Sequence, residues 1–279
     1  MSIWYALCDA LPIEFLHWNF MKNAFLATLL MGPLFGLMST MIVSGKMSFF
    51  SDALGHSAFT GIAIGCIFGV AAPTWVAVIF STLFALLFSY VRIRSNQAAD
   101  TLIGVFSSTA VALGIFIATL GGNSFTKYNK YLIGDILSVT PSEIGMLIFI
   151  LILTLGFWGL FSNRLALTSI HPQLAGSRGI KTGVIQTVFT VVIAIVVTLA
   201  INWVGLLILN SLLILPGASS RNIARNMKEY HLYSILFALI AGIGGLILSY
   251  YLGTSAGAAI SLLLAMIFTV TFLLRKVRN

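Results

Sequence analysis

Charge is what this chain has least of: Asp, Glu, Lys and Arg together make up 8% of its 279 residues, against about a quarter in a water-soluble domain. So few ions cannot cover the surface of a soluble fold of this length, and that class is excluded. Cysteine is equally scarce. Cys8 and Cys66 are the two present, too far apart for a disulfide framework or a zinc ribbon, and they read as small packing residues. No basic segment precedes the first apolar run, where Asp9 and Glu14 stand instead, so a cleaved signal peptide is not expected. The zinc-protease pattern H-E-x-x-H is absent. "GHSAF" (55–59) approaches the nucleophile elbow G-x-S-x-G, but Phe59 takes the place of the second glycine and no strand pattern precedes it. "GSRGIKTG" (176–183) approaches a phosphate loop, but Ile180 separates Gly179 from Lys181. The chain is therefore expected not to be an enzyme and not to hydrolyse ATP by itself.

What fills the sequence instead is apolar. Mean hydropathy is +1.05, and the runs 182–220 and 232–274 each exceed the roughly 20 residues with which a helix crosses a bilayer. Alternating barrel patterns are absent, and backbone groups in lipid must bond internally, so helices are the spanning element. The expected fold is all-α, a polytopic transmembrane bundle forming one domain over 1–279, with a multi-pass location in a cell membrane. Candidate spans are 24–43, 50–70, 74–91, 101–120, 143–161, 184–201, 204–216, 232–251 and 257–274. The segment 204–216 is short and closes on Pro216-Gly217, so a broken or re-entrant helix there would leave eight spans, not nine. Residues 1–20 mix aromatics with two acids and read as interfacial. Gly61, Gly65 and Gly69 repeat every fourth residue, a spacing that lets helices approach closely.

The basic residues set the orientation. With the C-terminus cytoplasmic and the N-terminus outside, twelve of the fifteen Lys and Arg fall inside, leaving Lys22, Lys127 and Lys130 outside. These cations are scattered between apolar segments and form no stripe or arm, so the net charge of +8 points to the membrane surface and not to nucleic acid.

One stretch breaks the apolar pattern: "SFFSDALGHSAFTG" (48–61) places Asp52 and His56 at i and i+4, on one helix face, in a row with Ser48 and Thr60. An intramembrane carboxylate costs about 2.5–3.5 kcal/mol on insertion scales, so such a group faces a cavity or a partner. Imidazole nitrogen with carboxylate oxygen suits Zn(II), Mn(II) or Fe(II). Two other roles fit the same residues: Asp52 capping a helix near Lys46 while His56 makes a buried hydrogen bond, and a proton relay in a secondary transporter.

"GKMSFFSDALGHSAFTGIAIG" (45–65), "DTLIGVFSSTAVALGI" (100–115), "KYLIGDILSVTPSEI" (130–144) and "VGLLILNSLLILPGASSRNIAR" (204–225), in that order, resemble the permeases of the zinc/manganese/iron class of metal-ion ATP-binding-cassette (ABC) importers. The resemblance runs over nearly the whole chain. It implies an ABC importer permease architecture and inward movement of a divalent metal ion by alternating access. The transported ion is then cargo with no permanently bound cofactor, and ATP is used by a partner subunit. It further implies a second permease copy, a cytoplasmic ATPase and an extracytoplasmic metal-binding protein as partners, besides membrane lipid. Asp52 and His56 fall on the family's positions for the metal-contacting or gating pair in the pathway. Within the cytoplasmic stretch 162–183, His171, Pro172, Gln173, Leu174, Ala175, Gly176, Ser177, Arg178 and Gly179 lie where the family couples to its ATPase. An apolar ridge led by Leu174 and Ala175 suits docking in a groove.

This sequence also departs from the family. His171 and Gln173 stand where acids are common, Asp135 where a small or hydroxylated residue is usual, and Asn210 where a small one is. With Ser48 and Thr60, Asn210 is a candidate for lining the pathway; interhelical hydrogen bonding is its other role. Asp100 opens a helix and suits its N-terminal dipole. The alternatives to a metal-ion permease are a permease for a chelated metal or cobalamin-like substrate, and an ion-coupled carrier that uses no ATP.

Overall fold

The computed structural model describes residues 1–9, 14–70, 72–120 and 136–278. Among them the regular elements are helical: α1 (Ser2–Asp9), α2 (Asn19–Ser44), α3 (Phe50–Ile67), α4 (Pro73–Arg94), α5 (Ala99–Thr119), α6 (Pro141–Ile170), α7 (Pro172–Ser177), α8 (Thr182–Ile223), α9 (Met227–Leu252) and α10 (Ala256–Arg278), with 3₁₀ turns at Glu14–His17 and Ile136–Ser138. Eight segments are long and apolar enough to cross a membrane, α8 contributing two, Thr182–Ile201 and Trp203–Ile223. The protein is a multi-pass, all-helical membrane protein.

All nine candidate spans are helical, but the one that falls short as a span is not the one expected. Residues 204–216 belong to a full-length segment, and α3 is the helix missing from the eight. Asp52, His56 and several small residues hold its hydropathy down. The α8 segment runs through Pro216, where a residue of α2 contacts its backbone. Proline removes a backbone donor from the ladder; at the next residue, the Gly217 N–H donates to Ser39 Oγ of α2 at 2.8 Å, and that hydroxyl reaches the Ile214 carbonyl at 3.3 Å. The true interruption of α8 is Gly205, at φ 76° and ψ 162°, a conformation open essentially to glycine alone. The stretch 162–183 is likewise less of a loop than expected, since α6 continues to Ile170 and α7 follows at once.

The chain divides into two compact units, Met1–Thr40 with Ile133–Gly156 and Trp203–Asn279, and Met41–Leu132 with Phe157–Asn202. In the first, α2 is the spine. Gly36 lets α9 approach until an added Cβ would stand 2.8 Å from the Ile235 Cα. Around that contact the hydroxyls of α9 donate to α2 carbonyls, Ser234 to Gly36 at 2.6 Å and Tyr230 to Thr40 at 3.1 Å. A Cβ on Gly245 would meet the Ile260 Cα at 2.7 Å, so α9 and α10 are equally close. The helix starts are closed by side chains: Asn226 accepts from the Glu229 N–H while Glu229 accepts from the Arg225 N–H, and Glu143 accepts from the Thr140 N–H.

The N-terminal segment is more firmly attached than an interfacial reading requires. Trp4 Nε1 donates to the Lys22 carbonyl at 3.0 Å, Tyr5 Oη to Asn23 at 2.8 Å, and Asn23 in turn donates to the Val139 carbonyl at 3.2 Å. Lys22, counted from the sequence as an external charge, is buried and ion-paired with Asp9. Cys8 is buried, which pushes its thiol pKa up, whereas Cys66 is exposed and does not fill the packing role expected of it.

In the second unit, α3 is packed against α4 and α5. Gly61 and Gly65 face α4, where added Cβ atoms would stand 2.5 Å from the Ala77 Cα and 2.9 Å from the Pro73 Cα. Gly69, the third glycine of the repeat, is not on that face but ends the helix with φ 64°. The helix preceding α3 is closed in the same left-handed way by a lysine. Lys46, at φ 54°, sits where glycine is usual, with the Met47 N–H returning to the Ile42 carbonyl at 3.0 Å.

These contacts set an order of stabilities. Lys46→Gly should relieve about 1 kcal/mol of backbone strain, while Ser39→Ala should cost about 1–3 kcal/mol by orphaning the buried Gly217 N–H. Thermal unfolding of the purified protein in detergent should rank Lys46→Gly above the unaltered protein and Ser39→Ala below it.

Candidate functional site

Helix α3 carries the acid and imidazole that sequence reading singled out, and its packing decides what they face. Its N-cap is Phe49, which makes no side-chain capping bond, so Asp52 lies in the first turn and is not the cap. A carboxylate there is stabilised by the helix dipole. From Phe50 to Ala63, Asp52 and His56 alone are not buried. The rest of that stretch is held inside: Phe50 stacks on Phe88 with ring centroids 4.4 Å apart, and Ser57 Oγ donates to Ser81 Oγ at 3.0 Å. The helix is thus sealed on its other faces and open along one seam.

In that seam the Asp52 side chain is 41% exposed and His56 25%, with Asp52 Oδ2 3.5 Å from His56 Nε2. That is longer than the 2.7–2.9 Å or so of a charge-assisted hydrogen bond, so the pair is not locked together. Two ligand atoms each about 2.1 Å from a tetrahedral ion stand roughly 3.4 Å apart. The pair is therefore spaced to hold two positions of a divalent ion's shell. Among the described residues no group of three or more His, Cys, Asp and Glu could hold a metal. An ion held by two protein ligands would keep other positions for water or a further chain.

The remaining pathway candidates lie elsewhere. Ser48 sits in the turn before α3, outside the helical row, where its carbonyl accepts from Ser51 Oγ at 3.1 Å. Thr60 is buried and its hydroxyl is 2.8 Å from the Ala110 carbonyl of α5 and 3.0 Å from the His56 carbonyl, so it ties two helices together. Asn210 belongs to the other compact unit, on the Trp203–Ile223 segment of α8, and is partly exposed. Asp100 is in the first turn of α5 behind an Ala98 N-cap, which supports its dipole role and not a capping bond. Asp135 lies outside the described residues.

The stretch from His171 to Gly179 folds as a short, closed helix in the same unit as α3. His171 is its N-cap and Pro172 its first residue, a position that asks for no N–H donor. At the other end Gly179, at φ 73°, lets the Ile180 N–H return to the Ala175 carbonyl at 3.1 Å. Ala175 is buried while Leu174 is exposed, so one apolar residue anchors the turn and the other is presented outward. Ile170, His171, Pro172, Gln173, Leu174 and Ser177 line an open depression of about 640 Å³. Gly176 and Arg178 are exposed beside it.

The tie between Tyr230, His231 and α2 was not legible. His231 Nδ1 stands 2.9 Å from Thr40 Oγ1, which itself donates to the Leu37 carbonyl at 2.7 Å. One hydroxyl proton cannot serve both, so the imidazole carries the proton on Nδ1 when the Leu37 bond is made. Nothing in the spacing of residues 40 and 231 announces this contact.

Comparison with known proteins identifies the family of the chain. Residues 17–275 match the model of the ABC 3 transport family. The chain is 30% identical to the high-affinity zinc uptake system membrane protein ZnuB of Haemophilus influenzae, over 84% of this chain and 90% of that protein. It is also 30% identical to the manganese import system permease protein ScaB of Streptococcus gordonii, over 93% of each. The solved structure of PsaBC from Streptococcus pneumoniae in complex with Fab aligns with a TM-score of 0.80 at 26% identity, covering 98% of this chain and 95% of that one.

The placement of Thr60 separates packing from ion binding. Thr60→Val, close in shape but without the hydroxyl, should lower the unfolding midpoint by the loss of about 1 kcal/mol yet leave the Co(II) affinity of the purified protein unchanged. A changed affinity with unchanged stability would return Thr60 to the pathway.

Proposed function

Since this chain belongs to the ABC 3 transport family, we propose that it is the permease of an importer that carries a divalent transition metal ion, zinc, manganese or iron, into the cytoplasm. The observation that carries the reading is the Asp52–His56 seam on an otherwise buried helix, in a chain whose relatives are named for zinc and manganese uptake. The chain is a transport subunit. ATP is bound and hydrolysed by a separate cytoplasmic subunit, an extracytoplasmic binding protein delivers the ion, and a second permease copy completes the pathway. The C-terminus lies in the cytoplasm, on the side that takes twelve of the fifteen Lys and Arg.

Each step follows from the chemistry of named residues. The ion sheds part of its water shell and takes the Asp52 carboxylate and a His56 nitrogen in exchange. Two ligands per chain bind it long enough to select a borderline divalent cation and weakly enough to let it go, and the second copy supplies two more. Closure of the ATPase pair moves α7, seated through Leu174 in a groove of the partner. His171 and Gln173 bring no negative charge to that contact, so apolar packing carries it. Motion of α7 switches the permease pair between outward- and inward-open arrangements.

Protonation opposes transport. An imidazolium has no lone pair for a metal and a carboxylic acid is a poor ligand, so uptake should fall as the external pH is lowered. The test is metal uptake into vesicles holding the permease with its ATPase. Asp52→Ala and His56→Ala should each reduce ATP-driven uptake at least tenfold, by about 1.4 kcal/mol or more of lost ion stabilisation, with membrane insertion retained. Leu174→Asp should abolish uptake and metal-stimulated ATP hydrolysis while metal binding to the permease persists. Unchanged uptake in both α3 variants would remove the site assignment and leave the transport reading standing.

A further inference from the structure

The inner ends of α4 and α8 form a site that the transport reading does not use. The two helices are antiparallel neighbours in one compact unit: Ser89 Oγ meets Thr187 Oγ1 at 2.5 Å, and one turn further on an added Cβ on Gly183 would stand 3.2 Å from Ile93 Cδ1. Carried one residue on, this register sets Arg94 level with Thr182, the first residue of α8, which Lys181 directly precedes. Arg94 and Lys181 are exposed. Arg94 is also held in place, its guanidinium 4.6 Å from the centroid of the Tyr90 ring. That contact holds the cation beside the ring by cation–π attraction.

Above these two cations the surface is apolar and open. Tyr90 and Ile93 on α4, and Val184 and Val188 on α8, are exposed large side chains on segments that cross the membrane. An aromatic ring and a guanidinium at the end of a lipid-facing stripe mark the depth at which phosphate headgroups lie. Neither helix contains an Asp or Glu, and the nearest acid along the chain is Asp100, in the first turn of α5. The cations are thus uncompensated by their own elements, beside a hydrocarbon-facing wall. A soluble subunit would cover the loops and not that wall, and a zwitterionic headgroup would set its own ammonium beside the two positive charges.

We propose that this end of the α4/α8 pair binds one anionic phospholipid, its phosphodiester on Arg94 and Lys181 and an acyl chain along Tyr90, Ile93, Val184 and Val188. Arg94 offers the phosphate a planar pair of donors and Lys181 a mobile point charge. The proposal rests on the transport reading only in placing this end in the inner leaflet. Failure of metal uptake would not touch it, and loss of lipid binding would not touch the family assignment.

The test is retention of lipid by the full-length permease. The protein is reconstituted into vesicles of equal parts phosphatidylcholine and phosphatidylglycerol, extracted gently and weighed by native mass spectrometry. At about fivefold per basic residue near a membrane surface, the two cations should favour phosphatidylglycerol roughly thirtyfold. The double variant Arg94→Gln, Lys181→Gln should lose that preference while keeping its unfolding midpoint in phosphatidylcholine. Arg221→Gln with Arg225→Gln, cations on the other compact unit, should keep it. Equal loss in both double variants would mean bulk surface charge and overturn the site. So would displacement of the lipid by inorganic phosphate at millimolar concentration, which would mark a free-anion site, or burial of this face by a second permease copy with no lipid retained.

Discussion

The structure depends on the cost of keeping an acid and an imidazole inside a bundle that has little water to solvate them. A carboxylate at the centre of a spanning helix costs about 2.5–3.5 kcal/mol; Asp52, in the first turn of α3 and 41% exposed, bears less and still asks for a helix whose other faces are well packed. Helix α3 meets that condition. Its small residues, Gly61 and Gly65 above all, bring α4 to backbone contact, and its aromatic and hydroxyl side chains are used up on α4 and α5. Most polar atoms of the helix point at a neighbour, and the two ionisable ones are left in an open seam. The poor hydropathy of α3 is what the proposed ion site requires. A helix with a fully apolar seam would insert more easily and would offer an ion nothing.

The first unit answers the same constraint by a different route. There the close approach at Gly36 is bordered by side-chain hydroxyls that donate to backbone carbonyls already engaged in a helix. Such bonds add to the ladder without competing with it, because a carbonyl has a second lone pair. At Pro216 the logic is reversed: the proline disturbs the ladder, and a serine from another helix attends to the next backbone donor. Ser39 and Gly217 are thus one device split between two helices.

Much of this was legible in the sequence, for identifiable reasons. Eight of the nine helical segments follow from hydropathy, since a span must be long and apolar whatever it packs against. Asp52 and His56 stood out because i and i+4 is a local relation on a helix, and Gly61 with Gly65 for the same reason. What was not legible was non-local. Pro216-Gly217 reads as a stop, and only Ser39, far away in the chain, makes it a continuation. Lys22 reads only as a charge on the outer side, and its pairing with Asp9 and Tyr5 appears once the N-terminal segment folds over it. Thr60 extends the Asp52–His56 row in sequence, but four residues on a helix overshoot one full turn by about 40°, and two such steps carry its side chain from the seam into α5. Lys46 in a left-handed turn breaks a local preference, and no residue-type rule would have placed it there.

The central claim is that the transported ion is held by the Asp52 carboxylate and a nitrogen of His56. X-ray absorption at the zinc edge, on the reconstituted permease loaded with Zn(II), reads that shell directly. The account predicts a nitrogen or oxygen first shell at about 2.0–2.2 Å with imidazole scattering beyond it, lost in His56→Gln and retained in His171→Gln and His231→Gln. Imidazole scattering that survives His56→Gln, or that disappears with either of the other two, would contradict it.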